Sequence, residues 1–188
     1  MTSFLSREEV LKLGFKSVGK NVLISRCAKI YGASEIVIGN NVRIDDFNVI
    51  SGKITIGNYV HIAPFGGFFA GDERITIGDY TAISWRVTIC SKSDDFSGKT
   101  MNNPTVPDKY KNLTNESVAI GKHVILGTAS VILPGVTIGE GAAIGASALV
   151  NKSCKAWTIN AGVPVKYIKD RDRGALSLSK QFEQELQE

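Results

Sequence analysis

Aliphatic residues beat time along most of this chain. Ile120, Leu126, Ile132, Ile138, Ile144 and Val150 recur every six residues, and Gly121, Gly127, Gly139 and Gly145 directly follow four of them. A period of six matches neither an amphipathic helix nor a single half-buried strand, so it predicts a repeat of one short strand plus a turn. Three such hexads close a triangular coil. The recurring aliphatic then points inward, a small residue (Ser130, Ala142, Ala148) fills the tight position four residues later, and glycine relieves the backbone at the corner. The pattern predicts an all-β chain built as a left-handed parallel β-helix.

The same beat runs upstream with interruptions. Ile24, Ile30 and Ile36 set it, it slips by two to resume at Ile38, Ile44, Ile50, Ile56, Ile62 and Phe68, and it slips by three around Gly71 to Arg74 before Ile77, Ile83 and Ile89. Each slip predicts a loop or bulge at a corner of the prism. Between Cys90 and Ser117 the beat is lost. Ser91, Ser93, Asp94, Asp95, Gly98, Asn102, Asn103, Pro104 and Pro107 give that stretch the composition of a protruding loop, over about 91–116. A long loop on a regular scaffold costs order and adds no core, which points to a functional role.

Both ends predict helices. Ser6 and Glu9 have capping-box spacing, Val10, Leu11 and Leu13 supply an apolar stripe and Gly14 a stop, so a short helix caps the open end of the solenoid within residues 1–16. The β-helix then spans 17–170. Leu178, Phe182 and Leu186, spaced by four, predict a C-terminal helix in 171–188 packed on the prism by one apolar stripe. One domain of 188 residues accounts for all of it.

Composition narrows the function. The net charge of +4 is mild, and basic residues thicken only from Lys152 onward, which argues against a nucleic-acid surface and leaves room for a local anion site. No apolar run approaches a membrane span, and Glu8 and Glu9 stand where a signal peptide would be basic and then apolar, so the expectation is a cytoplasmic protein with no membrane partner. Cys27, Cys90 and Cys154 are odd in number and lack metal-type spacing, which predicts reduced thiols. Two histidines are too few for a three-histidine zinc site, so no metal is expected. Neither falls on the core beat. His61 precedes Ile62 and could line a pocket, while His123 reads as structural.

The hexads from Ile120, the segment Leu133-Pro-Gly-Val-Thr-Ile-Gly139, the run Ile144 to Lys152 and Ala161-Gly-Val-Pro-Val-Lys166 resemble the hexapeptide-repeat acyltransferases over nearly the whole chain. Val18-Gly-Lys-Asn-Val-Leu-Ile24, Arg43-Ile-Asp-Asp-Phe47 and Ser93-Asp-Asp-Phe-Ser-Gly98 with Pro104-Thr-Val-Pro107 resemble, within that family, the N-acyltransferases of dTDP-4-amino-4,6-dideoxyglucose. The resemblance implies a homotrimer with active sites between prisms, feeding surface polysaccharide assembly. Acyl-CoA, by default acetyl-CoA, would be the co-substrate, with no tightly bound cofactor. Gly127, Thr128, Ala146, Asn151 and Lys152 would line the CoA channel, with Lys166 and Lys169 near its nucleotide end. Asp45, His61 and Asp95 would contact the nucleotide-sugar acceptor.

Asp94 and Ser84 are the implied catalytic pair. Galactoside-type relatives carry a histidine base just after the strand that precedes the loop, and Asp94 stands at that position here. An amine acceptor tolerates the change, because a deprotonated amine is already a nucleophile whereas a hydroxyl needs a base. Asp94 would orient the amine, Ser84 would hold it or a neighbouring hydroxyl, and backbone amides at or near Gly127 would polarise the thioester. A packing role for Ser84 and a loop-turn role for Asp94 and Asp95 are the plain alternatives. The rival function is a sugar or polysaccharide O-acetyltransferase. A non-enzymatic solenoid would have no reason for the aspartate-bearing loop.

Overall fold

The beat becomes three columns of side chains. The computed structural model describes residues 3–186 and arranges short parallel strands into the three faces of a prism. One face runs from Ser17–Val18 to Thr137–Ile138, the second from Leu23–Ile24 through His61–Ile62 and Ala82–Ile83 to Thr158–Ala161, and the third from Lys29–Tyr31 to Leu149–Val150. On the second face Ile44, Ile62, Ile83, Leu126 and Ile144 stand in direct register. Ile38, Ile56, Ile77, Ile120 and Ile138 do the same on the first. All ten are buried. Strands of two or three residues suffice because each donates and accepts ladder bonds with the rungs above and below, about 4.8 Å away.

Two corners are regular and one is not. Asn21, Asn41, Tyr59, Tyr80, His123 and Trp157 take positive φ along one corner, and Phe47, Phe65, Arg86, Ala129 and Ser147 along the next. The third corner, after the third face, absorbs every excursion. It holds the 3-10 turn Ala33–Glu35 and the turn at 71–74, which are the two slips of the beat, and also the long loop. The loop's base is fixed. Lys92–Ser93 pairs antiparallel with Thr114–Asn115, Ser91 Oγ donates to the Glu73 carbonyl at 2.7 Å and accepts from Gly71 N–H at 2.9 Å, and Asn115 donates to Asp72 at 2.7 Å.

Helix α1, Arg7–Lys12, closes the first coil with Val10 buried in the core. Its capping box is formed: Ser6 N–H donates to Glu9 at 2.7 Å, and Glu9 N–H to Ser6 Oγ at 3.3 Å. Arg26 grips the same Glu9 carboxylate through two bonds of 2.7 Å, and with the Ser6 amide brings its pKa down to about 2.

Helix α2, Gly174–Glu185, departs from the expected apolar docking. Phe182 meets Tyr59 edge-on at 5.2 Å, but Leu178 and Leu186 are 68% and 58% exposed. The corner beneath offers a phenol and an imidazole, so polar groups make the seat. Tyr80 donates its hydroxyl to Glu183 at 2.8 Å, and burial together with that carboxylate pushes the phenol up to about 12. Under the helix, Tyr59, Tyr80 and His123 stack on one another, and Trp157 lies across Gly141, where a Cβ would come within 2.4 Å of the indole. That residue has to be glycine.

The three cysteines are free thiols. Among the described residues no helix is long and apolar enough to cross a membrane, and no cluster of His, Cys, Asp and Glu could hold a metal. The outermost positions of the two predicted end segments, residues 1, 2, 187 and 188, lie outside the described residues.

The register predicts where the prism is weakest to truncation. Ile62→Ala, in the middle of an unbroken column, should cost about 2–5 kcal/mol, whereas Thr76→Ala on an outer face should stay within about 0.5 kcal/mol; urea denaturation of the two variants gives both values.

Candidate active site

The residues that follow Ile44, Ile62, Ile83, Leu126 and Ile144 on the second face form a column of their own, Asp45, Ala63, Ser84, Gly127 and Gly145, and the first four donate their amides to the Ile62, Ile83, Leu126 and Ile144 carbonyls at 2.8–3.0 Å. Asp45 is only 8% exposed and is held from two sides. Arg43 Nε donates to one carboxylate oxygen at 2.7 Å and His61 Nε2 lies 2.8 Å from the other. Burial alone would raise the carboxyl's pKa, but the bonds from His61 and Arg43 outweigh it and hold the group below its ordinary value. Arg43 was not among the residues expected at the site. Its spacing of two from Asp45 along a strand puts both on one face, and that signal was available.

His61, Ser84, Trp85 and Thr128 line one open concavity of about 320 Å³ on this edge. Thr128 sits one rung below Ala146, whose neighbour Ser147 donates to the Thr128 carbonyl at 2.7 Å. The Gly127 amide, expected to polarise a thioester, is spent on the ladder, donating to the Ile144 carbonyl at 2.8 Å. The adjacent corner amide, that of Thr128, has no ladder acceptor among the described residues, which makes it the better placed donor.

Asp94 lies elsewhere on the chain. It leaves the third face within the loop and shares a concavity of about 350 Å³ with Phe96, Asn112, Leu133, Pro134 and Asn151, among others. Its carboxylate accepts one long bond, from Asn103 N–H at 3.3 Å, and among the described residues takes no other donor. Asp95 is fully used inside the loop. It accepts from Ser97 N–H at 2.8 Å, Ser97 Oγ at 2.9 Å and Thr100 Oγ1 at 2.8 Å, and these bonds, the Ser97 amide's first, lower its pKa. Its carboxylate shapes the loop that presents Asp94.

The candidate residues therefore fall into two groups, one prism face apart. Ser84, His61, Asp45, Gly127, Thr128 and Ala146 lie on the second face or the corner that follows it, and Asp94 and Asn151 lie past the far edge of the third face, on the loop side. Lys152 lines a cavity of about 520 Å³ at the end of the prism with Cys154 and Tyr167. Lys166 and Lys169 stand exposed on the final strand, Lys166–Asp170, opposite Ala161 and Ile159. His123, off the core beat, is stacked on Tyr80 at 4.9 Å between centroids and so is partly covered instead of facing open solvent.

Residues 35–67 and 117–152 match the family described as bacterial transferase hexapeptide (six repeats). Over 183 residues, 96% of this chain and 95% of the relative, the sequence is 47% identical to the dTDP-4-amino-4,6-dideoxy-D-glucose acyltransferase of Escherichia coli. The chain belongs to the hexapeptide-repeat acyltransferases. It is 48% identical to AntD, an N-acyltransferase from Bacillus cereus solved with dTDP and 3-hydroxybutyryl-CoA, at a TM-score of 0.98 and with 100% of each chain covered. AntD has also been solved as a D94A variant with dTDP and coenzyme A and as an S84A variant with dTDP-4-amino-4,6-dideoxyglucose and coenzyme A. A putative lipopolysaccharide biosynthesis O-acetyl transferase of Escherichia coli strain K12 is 34% identical over 137 residues, 70% of this chain and 66% of that one.

For an acyltransferase, the Asp45 anchor has a measurable cost when removed. Asp45→Ala should destabilise the fold by about 1–3 kcal/mol at pH 7, since two donors lose their acceptor. Because the folded pKa lies below the unfolded one, this stability is present above the unfolded pKa and is lost as pH falls through the folded value. Native and variant stabilities, compared by denaturant titration at descending pH, should begin to converge only as pH falls below about 4, the unfolded value, and meet below the folded one.

Proposed function

We propose that the protein transfers an acyl group from acyl-CoA to the amine of dTDP-4-amino-4,6-dideoxyglucose, in grooves between the copies of a homotrimer, as a step toward surface polysaccharide. The observation that carries the reaction class is the 47% identity, over nearly both full lengths, to an enzyme of that activity. The site's chemistry agrees with it. Both histidines of the chain lie on the prism, so the loop offers a carboxylate and no imidazole, which suits an acceptor that is already nucleophilic. AntD, bound to the same sugar nucleotide and coenzyme A, adds support, as does the choice of an aspartate and a serine for substitution in it.

In this reading Asp94 accepts a hydrogen bond from the amine and aims its lone pair at the thioester carbonyl. The carbon–nitrogen bond forms, the carbon–sulfur bond breaks, and the proton lost from nitrogen is balanced by the departing thiolate, so coenzyme A leaves as the free thiol. Ser84 fixes the amine or its neighbouring hydroxyl, and the Thr128 amide faces the developing oxyanion. Thr128 and Ala146 carry the pantetheine arm from one copy; Asn151 and Lys152 approach from the other, and Lys166 and Lys169 serve the nucleotide end. Positioning does most of the work, since aligning two bound reactants removes a large share of the barrier without a strong base. Acetyl is the smallest group to test; the AntD complex with 3-hydroxybutyryl-CoA supports a longer one. The reading places the enzyme in the cytoplasm, with its acyl-CoA.

A site shared between copies explains why Ser84 and Asp94 are one face apart on a single chain. It also gives the test. Thiol release with the amino-sugar nucleotide should fall about a hundredfold in kcat for Asp94→Ala and about tenfold for Ser84→Ala, with coenzyme A binding kept. Co-expressed, the two variants should regain about a quarter of native activity, because about one interface in four then pairs a native Ser84 with a native Asp94. Activity no higher than the average of the separate variants would place both residues in one chain's site.

A further inference from the structure

Two groups of exposed side chains are explained neither by the prism nor by the chemistry, and one lies on each half of the divided site. The first is on the corner after the second face. Phe47 and Phe65 occupy successive rungs there, both with positive φ, their rings stacked at 5.0 Å between centroids and each about half exposed. The left-handed conformation disfavours a bulky side chain, and the neighbouring corner meets the same need with Asn21 and Asn41, so the backbone does not ask for these rings. The next rung of the row is Arg86. It is exposed, it has no carboxylate partner among the described residues, and it directly follows Ser84 and Trp85 of the groove.

The second group is on the loop. Phe96 is 93% exposed, and no ring among the described residues packs on it. It does not sit on a slack tip. Asp95, just before it, accepts from Ser97 N–H, Ser97 Oγ and Thr100 Oγ1, and Asn103 N–H ties back Asp94, so the turn is held while the ring stays bare. The loop thus presents two carboxylates and then an apolar knob; the corner presents an apolar pair and then a cation. On one chain these groups stand a prism face apart. Bringing the Asp94 of a second copy up to Ser84 brings them together: Phe96 lies within about 7 Å of its own Asp94 along the chain. Phe65 is one rung, about 4.8 Å, from the Arg86 level, where the Arg86 amide donates to the Pro64 carbonyl.

We infer that Phe47 and Phe65 form a socket for the next copy of the chain: Phe96 of that copy packs on the two rings, Arg86 offers the opposite charge to its loop, and the contact docks the loop so that its Asp94 reaches Ser84. The inference rests on the shared-site reading above and adds the surface that assembles that site. A third ring closing an exposed aromatic pair, with a cation beside two carboxylates, has the makeup of an interface hot spot. Phe65 and Phe96 are positioning residues; they act through the placement of Asp94.

Crosslinking tests the contact directly. In a Cys27→Ser background, which removes the exposed native thiol, the full chain carrying both Phe65→Cys and Phe96→Cys should give covalent multimers on a denaturing gel after mild oxidation, and reductant should disperse them. The two single variants, co-expressed, should give covalent dimers, which a contact within one chain does not allow. Phe96→Ala should lower kcat for thiol release with the amino-sugar nucleotide about tenfold at native coenzyme A affinity, and Phe96→Tyr should restore it to within about twofold. No crosslink in a double variant of native oligomeric mass, or a Phe96→Ala kcat within about twofold of native, overturns the socket and leaves the acyl-transfer reading standing. Crosslinking in a chain whose native parent releases no thiol with that acceptor upholds the socket and overturns the reading. A native chain that is monomeric by mass overturns both.

Discussion

Everything in this protein hangs on a parallel backbone ladder that forces like positions into vertical rows about 4.8 Å apart. A strand of two residues has no stability of its own, and the prism holds only because each coil closes the backbone bonds of the next and adds one aliphatic to each interior column. The same rule governs the outside. Whatever leaves a face or a corner does so in a row, so Ala63, Ser84 and Gly127 are neighbours for the same reason that Ile62, Ile83 and Leu126 are.

Stacking also decides where irregularity is allowed. Both slips of the beat and the long loop leave from one corner, and the other two corners stay smooth. A loop at a single corner leaves the ladder intact on all three faces, and its base is tied back by Ser91 and Asn115 to the turn beneath it. The loop is thereby aimed as well as attached. The outcome is a chain that carries the row with Ser84 on one edge and an aspartate-bearing arm on another, one prism face apart, and the proposed reaction needs a second copy to bring the two together.

The carboxylates show how a fold divides its charges. Asp45 and Asp95 have their oxygens filled by donors, and their pKa values fall accordingly; they brace other groups. Asp94 accepts a single long bond and faces an open concavity, which leaves its lone pairs for an incoming donor. Asp79 is of the bracing kind, capping the Asn58 amide at 2.8 Å and pairing with Lys122 at 2.9 Å. Among these four aspartates, availability rather than residue type sets apart Asp94, the carboxylate that the proposed reaction uses, from the three that brace the structure.

The sequence alone determined the hexad beat, the inward column, both slips, the loop's extent and the N-terminal capping box, because each is set by local spacing and by a periodicity that cannot fit a helix or a lone strand. The candidates Ser84, Asp94 and His61 came from the family resemblance, which the beat only located on the prism and its loop. The sequence could not give the contacts between rungs. The Arg43–Asp45–His61 cluster joins residues from two coils, the Gly127 amide is occupied by a carbonyl 17 residues on, and α2 seats itself by Glu183 on Tyr80, 103 residues away. Those pairings depend on which rows the slips bring together, and an offset accumulated over several coils is fixed only when the chain has closed on itself. The distance of one face between Ser84 and Asp94 is of the same kind: the order of residues names both, and only the geometry of the prism shows that one chain keeps them apart.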